Sequence, residues 1–120
     1  MFSRFLSPAY RLFMTSASQS PTMKLVESTI SENPVTVFSK TTCPFCSATK
    51  SLFSDKFPNV PVKILELDLL EDGPAIQSYL AQKTGQHTVP NVFVHSRHIG
   101  GNDSTQAAYQ SGKLSSMLKI

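Results

Sequence analysis

Apolar positions along the chain change period several times, and the changes mark out alternating helices and strands. Residues 24–32 predict a short helix with Leu25, Val26 and Ile30 turned inward. It ends at Asn33-Pro34, because a residue before proline is pushed out of the α region. Val35 to Ser39 (VTVFS), β-branched and aromatic, predicts a strand. A polar turn, Lys40-Thr41-Thr42, leads to a helix from about Pro44 to Phe57, with Ala48, Leu52 and Phe53 on one side. Proline suits its first position, where no N–H is needed. Val62 to Leu67 predicts a second strand, and Glu71-Asp72-Gly73-Pro74 opens a helix to about Thr84, closed by Gly85. Ala75, Ile76, Tyr79 and Leu80 form its expected buried face. Val92 to His95 predicts a third strand, Ser96-Arg97 a tight turn and His98-Ile99 a fourth strand. Gly100-Gly101 breaks that strand, and Asp103 with Gln106 has the form of a capping box for a final helix.

The order α-β-α-β-α-β-β-α sets a parallel pair joined by a crossover helix before an antiparallel hairpin. The expected fold class is α/β: a four-stranded mixed sheet with helices on both faces, as in the thioredoxin fold. With 120 residues, 40% hydrophobic and 16% charged, the chain has room for one small domain. No apolar run reaches the roughly eighteen residues of a spanning helix, so no membrane span is expected. The two cysteines, Cys43 and Cys46, are too close in sequence to clamp distant parts of a fold. Their work is chemical or metal-binding.

The net charge of +3 turns attention to nucleic acid until it is located. Arg4, Arg11 and Lys24 all precede the first acid, Glu27, and from Glu27 onward eight basic residues face eight acidic ones. The body is therefore neutral, and nucleic-acid binding loses its support. Residues 1–22 are Arg-bearing, serine-rich and free of acids, the composition of an organellar transit peptide. On a helix, Phe2, Phe5, Leu6, Ala9, Leu12 and Phe13 recur at steps of three and four, away from Arg4 and Arg11, although Pro8 interrupts. A tail without an address is the alternative. The expectation is a leader over 1–22, a domain over 23–120, a location in the mitochondrial matrix, and a cytosolic form where translation starts at Met23.

Cys43-Pro44-Phe45-Cys46 follows a predicted strand and opens a predicted helix. Free N–H groups and the macrodipole at a helix N-terminus favour an anion, so Cys43 is expected as the nucleophilic thiolate, with Lys40 adding positive charge. Cys46, in the first turn, can reach Cys43 in a disulfide and is expected to be less exposed. The same spacing makes half of a zinc site, and His95 and His98 could complete a set on paper. That pair flanks a hairpin far along the chain, and a proline between cysteines at a helix start suits a redox pair better, so no metal is expected. Thr88-Val89-Pro90 precedes a strand; a cis Pro90 would bring the Val89 backbone to the Cys43 sulfur and let it pair with a bound peptide. An ordinary turn proline stays open as the alternative. Gly100-Gly101-Asn102-Asp103-Ser104 permits close backbone approach, and the helix behind it can hold a carboxylate, unless it is a plain capped loop.

Lys40 to Cys46 (KTTCPFC), Thr88 to Val94 (TVPNVFV) and His98 to Asp103 (HIGGND), in this order and spacing, resemble a dithiol glutaredoxin over about Met23 to Leu118. The resemblance implies the thioredoxin fold, a cis Pro90, glutathione as co-substrate and no bound cofactor. It makes Cys43 the nucleophile and Cys46 the resolving thiol. It sets Lys40 and Gln77 on the glycine carboxylate of glutathione, Val89 in backbone pairing with its cysteine, and Asp103 and Ser104 at its γ-glutamyl end. Thr88, Pro90 and Gly101 belong to the same implied binding surface. Phe45 stands where tyrosine is usual, which leaves stacking and shape without a hydroxyl. His87 stands where a long cationic or polar residue is common, which puts constant positive charge near the carboxylate in doubt. The implied activity is reduction of protein–glutathione mixed disulfides and other disulfides by a monomer. The other reading is an iron–sulfur carrier in which two chains share a cluster through Cys43 and glutathione. Pro44 argues against it, since family members of that kind usually lack a proline there.

Overall fold

A computed structural model of the chain describes residues 20–120, so the leader expectations up to residue 19 lie outside the described residues. Helix α1 spans Pro21–Glu32 and begins three residues earlier than the apolar pattern predicts. The reason is polar: Ser20 Oγ accepts the Met23 N–H at 3.1 Å and Pro21 takes the first position. Val26 and Ile30 face inward as expected, but Leu25 is 39% exposed, and Thr29 joins the buried side in its place. Thr29 can do so because its hydroxyl donates to the Leu25 carbonyl at 2.6 Å.

Strand β1 is Val35–Ser39, and α2 is Pro44–Lys56 with Cys46, Thr49, Leu52 and Phe53 buried and Ala48 only half-buried. Strand β2 covers Val62–Glu66 and runs into a 3-10 turn, Leu67–Leu69, which the pattern does not show. Helix α3, Gly73–Thr84, ends at Gly85 with φ 80°, a left-handed position that suits glycine. Ile76 and Leu80 are buried and Tyr79 is half-buried, but Ala75 is exposed. Gly73 lies on the inner side instead, where a Cβ would collide with the Leu67 carbonyl. Strands β3 (Asn91–Val94) and β4 (Arg97–Gly100) form the hairpin.

The sheet order is β2-β1-β3-β4, with β1 parallel to β2 and antiparallel to β3, and β3 antiparallel to β4. Central β1 is buried along its whole length, because helices cover both faces. Alternation sorts its side chains into two cores. Val35, Val37, Val92 and Val94 meet Leu52 and Phe53 of α2 and Ala108 of α4 (Asn102–Gln110), with Leu114 of α5 (Lys113–Leu118). Phe38 and Phe93 point the other way, to Val26 and Ile30 of α1, Leu67, and Ile76 and Leu80 of α3. The expected mixed four-stranded sheet with helices on both faces is what the chain forms.

Two boundaries differ from expectation near the site. The hairpin turn is His95-Ser96, one residue early, with φ 47° and 68°, so Arg97 belongs to β4. A two-residue loop with positive φ at both positions matches the twist of the strands, and His-Ser lacks the Asn-Gly signature that would have announced it. The capping box does not form: Gly101 is the N-cap of α4 without a side-chain cap, and Asp103 lies inside the first turn. The single final helix is two, with Gly112 (φ 84°) turning the chain between α4 and α5. Among the described residues no helix is long and apolar enough to cross a membrane.

Candidate active site

Cys43 is the N-cap of α2, in extended conformation, and its Sγ accepts the Cys46 N–H at 3.2 Å. Its thiol points at the Val89 carbonyl oxygen, 3.7 Å away. The turn that delivers it is closed by the Cys43 N–H donating to the Lys40 carbonyl at 3.2 Å. A second tie comes from the 3-10 turn, where the Asp68 carboxylate accepts the Thr41 N–H at 3.0 Å and also the Thr41 hydroxyl. Those two bonds, with the Lys40 charge nearby, hold the Asp68 carboxyl below its ordinary range.

The two sulfurs sit in opposite surroundings. Cys43 is half-buried at a helix N-terminus, where the free N–H groups favour negative charge. Cys46 is 0% exposed, and burial first, then its contact with Cys43, push its thiol up to about 11. Near neutral pH Cys46 keeps its proton. The pair thus sets one sulfur at the helix cap and one protonated thiol in the core within a single helical turn.

A groove of about 340 Å³ runs past this pair. Phe45, Thr88, Val89 and Pro90 form one side, and Gly101, Asp103 and Ser104 at the start of α4 form the other. The Val89–Pro90 peptide bond is cis. Phe45, 63% exposed, offers its ring to the groove and buries little of it against the core. Lys40 and Gln77 line a neighbouring hollow of about 490 Å³, while His87 lies with Gln77 in a third of about 500 Å³. Gln77 belongs to both hollows, and its Nε2 donates to the His87 carbonyl at 2.8 Å, which ties α3 to the loop before β3. The sequence-predicted residues therefore occupy one groove beside the cysteines and two adjoining hollows joined at Gln77. His98, weighed above as a zinc ligand, is turned to Asn91 (2.8 Å) and packs on Phe93.

Of three further residues around the site, Gln86 and Asp68 carry no sequence signal, and Asn102 carries one only as part of the Gly100-to-Ser104 stretch. Asn102 lines the groove, and its Oδ1 accepts from the Thr49 hydroxyl at 2.9 Å and from Gln106 Nε2 at 3.1 Å. Gln86 donates from Nε2 to the carbonyls of Thr88 and Pro90. Asp68 steadies the loop before Cys43 from far along the chain. Asn102 and Asp68 act through contacts between distant segments, and Gln86 through a bend of the loop that follows it, none of which periodicity or spacing records.

Comparison with known proteins places this geometry among relatives. A family model described as Glutaredoxin matches residues 35–99. The chain is 52% identical over 89 residues to a glutaredoxin of Solanum lycopersicum, covering 74% of this chain and 81% of that one. It is 42% identical over 107 residues to glutaredoxin-C4 of Arabidopsis thaliana, covering 89% of this chain and 78% of the relative. Among solved structures, a buckwheat glutaredoxin–glutathione complex superposes with a TM-score of 0.77 at 44% identity, over 82% of this chain and 87% of that chain.

Proposed function

The chain belongs to the glutaredoxin family of glutathione-dependent thiol–disulfide oxidoreductases, and on that premise we propose that Cys43 takes glutathione off protein mixed disulfides while Cys46 resolves protein disulfides. The observation that supports this most is the Cys43 sulfur itself, capping α2 and 3.7 Å from the Val89 carbonyl beside a groove. In the first step the Cys43 thiolate attacks the sulfur of the glutathione moiety. The old S–S bond breaks, its electron pair leaves with the protein thiolate, and that thiolate takes up a proton. The thiolate of a second glutathione then attacks the glutathionyl sulfur on Cys43, releases oxidised glutathione and regenerates the Cys43 thiolate. With a protein disulfide, Cys43 forms a mixed disulfide and Cys46, losing its proton, attacks the Cys43 sulfur to expel the protein thiol.

The glutathionyl group lies with its cysteine paired to the Val89 backbone, beside Thr88 and Pro90, and its γ-glutamyl end at Gly101, Asp103 and Ser104, where the α4 N-terminus favours a carboxylate. Phe45 packs on it, and Lys40, Gln77 and His87 face its glycine carboxylate. The buckwheat relative, solved with glutathione, supports this placement. Pro44 remains the argument against the cluster-carrying alternative. The protein works as a monomer, in the mitochondrial matrix and, begun at Met23, in the cytosol.

A glutathione-coupled turnover assay on the wild type and the Cys43→Ser and Cys46→Ser variants tests the assignment. Cys43→Ser abolishes all turnover, whereas Cys46→Ser keeps deglutathionylation and loses most reduction of protein disulfides. Equal loss of deglutathionylation in both variants contradicts these roles.

A further inference from the structure

Gln86 follows Gly85, the residue that ends α3, and its main chain is tied down there. Its N–H donates to the Thr84 hydroxyl at 3.0 Å, and that hydroxyl donates to the Leu80 carbonyl at 2.8 Å. From this base the side chain reaches across the loop that enters β3. Nε2 donates to the Thr88 carbonyl at 3.0 Å and to the Pro90 carbonyl at 2.8 Å. A primary amide nitrogen carries two N–H groups, so the two carbonyls use both, and the flipped amide would set oxygen against oxygen. The two carbonyls belong to the residues on either side of Val89. The same amide lies against the turn into α4, since a Cβ on Gly100 or on Gly101 would come within 3.8 Å of it. One side chain thus braces the stretch from the end of α3 past Val89 and lies against the glycine turn on the other side of the groove.

We propose that Gln86 is a positioning residue for the mixed-disulfide substrate: it fixes the Val89 backbone so that its N–H and C=O face the cysteine of a bound glutathionyl group beside Cys43. This rests on the pairing at Val89 stated above. Gln86 touches no reacting atom. Without its two bonds the peptide planes from Thr88 to Pro90 are free to turn, and the pairing edge is no longer presented. The sulfur chemistry at the start of α2 is untouched once substrate is bound. The loss therefore falls on KM and not on kcat.

The test is steady-state kinetics of the full chain with a glutathionylated peptide, for wild type, Gln86→Met and Gln86→Glu, between pH 5 and 8. Methionine keeps the length without a donor and raises KM roughly tenfold, the size expected for losing two ordinary hydrogen bonds. Glutamate keeps the shape, but as a carboxylate it only accepts, and it faces two carbonyls. At pH 8 its KM rises at least as much, and towards pH 5, where the carboxyl takes up a proton and can donate again, the KM ratio to wild type falls back. The other ionisable groups around the groove, His87, Asp103 and Cys43, are common to both proteins and cancel in that ratio. A folding defect would lower kcat by lowering the active fraction and leave KM unmoved. A Gln86→Met KM within about twofold of wild type, or a Gln86→Glu ratio flat with pH, overturns the proposal. A substrate with the glutathione cysteine nitrogen methylated separates the two layers of the argument. If wild type ignores the methylation, the Val89 pairing fails and Gln86 falls with it; if wild type is impaired while the Gln86 variants match wild type on the ordinary substrate, the role of Gln86 alone falls.

Discussion

One turn of α2 puts two chemically identical side chains in opposite surroundings. Cys43 stands at the cap with a half-exposed sulfur, and Cys46 faces the core with its thiol pushed up to about 11, chiefly by burial. At pH 7.5 Cys46 is then almost wholly protonated, and only thiolate reacts. In reduced, native protein iodoacetamide should therefore modify Cys43 long before Cys46, and peptide mapping over time checks this. Comparable rates in folded protein would contradict the burial argument. This placement of the two sulfurs was legible in the sequence because CPFC between a strand and a helix is local information. Asp68 was not, because it acts on a loop that only the folded chain brings near, and Gln86 was not, because the bend that turns the Thr88 and Pro90 carbonyls to its amide leaves no mark in a polar stretch.

At the scale of elements, α1 and α3 are joined across their polar sides by Glu27, Tyr79 and Lys83. The Tyr79 hydroxyl donates to the Glu27 carboxylate, and Lys83 Nζ lies 2.9 Å from it. Burial raises the Glu27 carboxyl, but its bonds to Tyr79 and Lys83 outweigh that and hold it below its ordinary value. Burial, then the bond to Glu27, push the Tyr79 hydroxyl up to about 12. A lowered carboxylate stabilises the fold at neutral pH and loses that contribution as acid titrates it through the carboxylate range. A raised tyrosine stabilises below its ordinary range and loses its share as pH climbs towards 12. Tyr79→Phe should thus cost about 1 kcal/mol at pH 7 in urea unfolding, discounted for partial exposure, and the deficit should shrink towards pH 3. A deficit constant over that range would show that the bond does not depend on the charge of the Glu27 carboxylate. The same elements show what a hydrophobic pattern can carry: the four strands and the first three helices were readable from it, whereas the last helix, read as one from a capping box, is two. Their ends were not, since Ser20, Gly101 and the His95-Ser96 turn are set by backbone geometry and polar caps.

For the whole molecule, the leader and the domain invite separate tests. Residues 1–22 fused to a fluorescent reporter should carry it to mitochondria, and Arg4→Glu with Arg11→Glu should leave it in the cytosol. A reporter that stays cytosolic behind the native leader would refute the address. The sheet keeps two helical layers apart, α2, α4 and α5 on one face and α1 with α3 on the other. The groove is where they meet: Cys43, Phe45 and the start of α4 come from the first layer, and Thr88 to Pro90 from the loop that leaves α3. A molecule seated there acts as a rivet across a seam, coupling openings that each layer would otherwise make alone. Glutathione held on Cys43 should then slow amide exchange in α1 and α3 as well as in α2, while a methyl group on the same sulfur, too small to reach across, should leave the far layer as mobile as before.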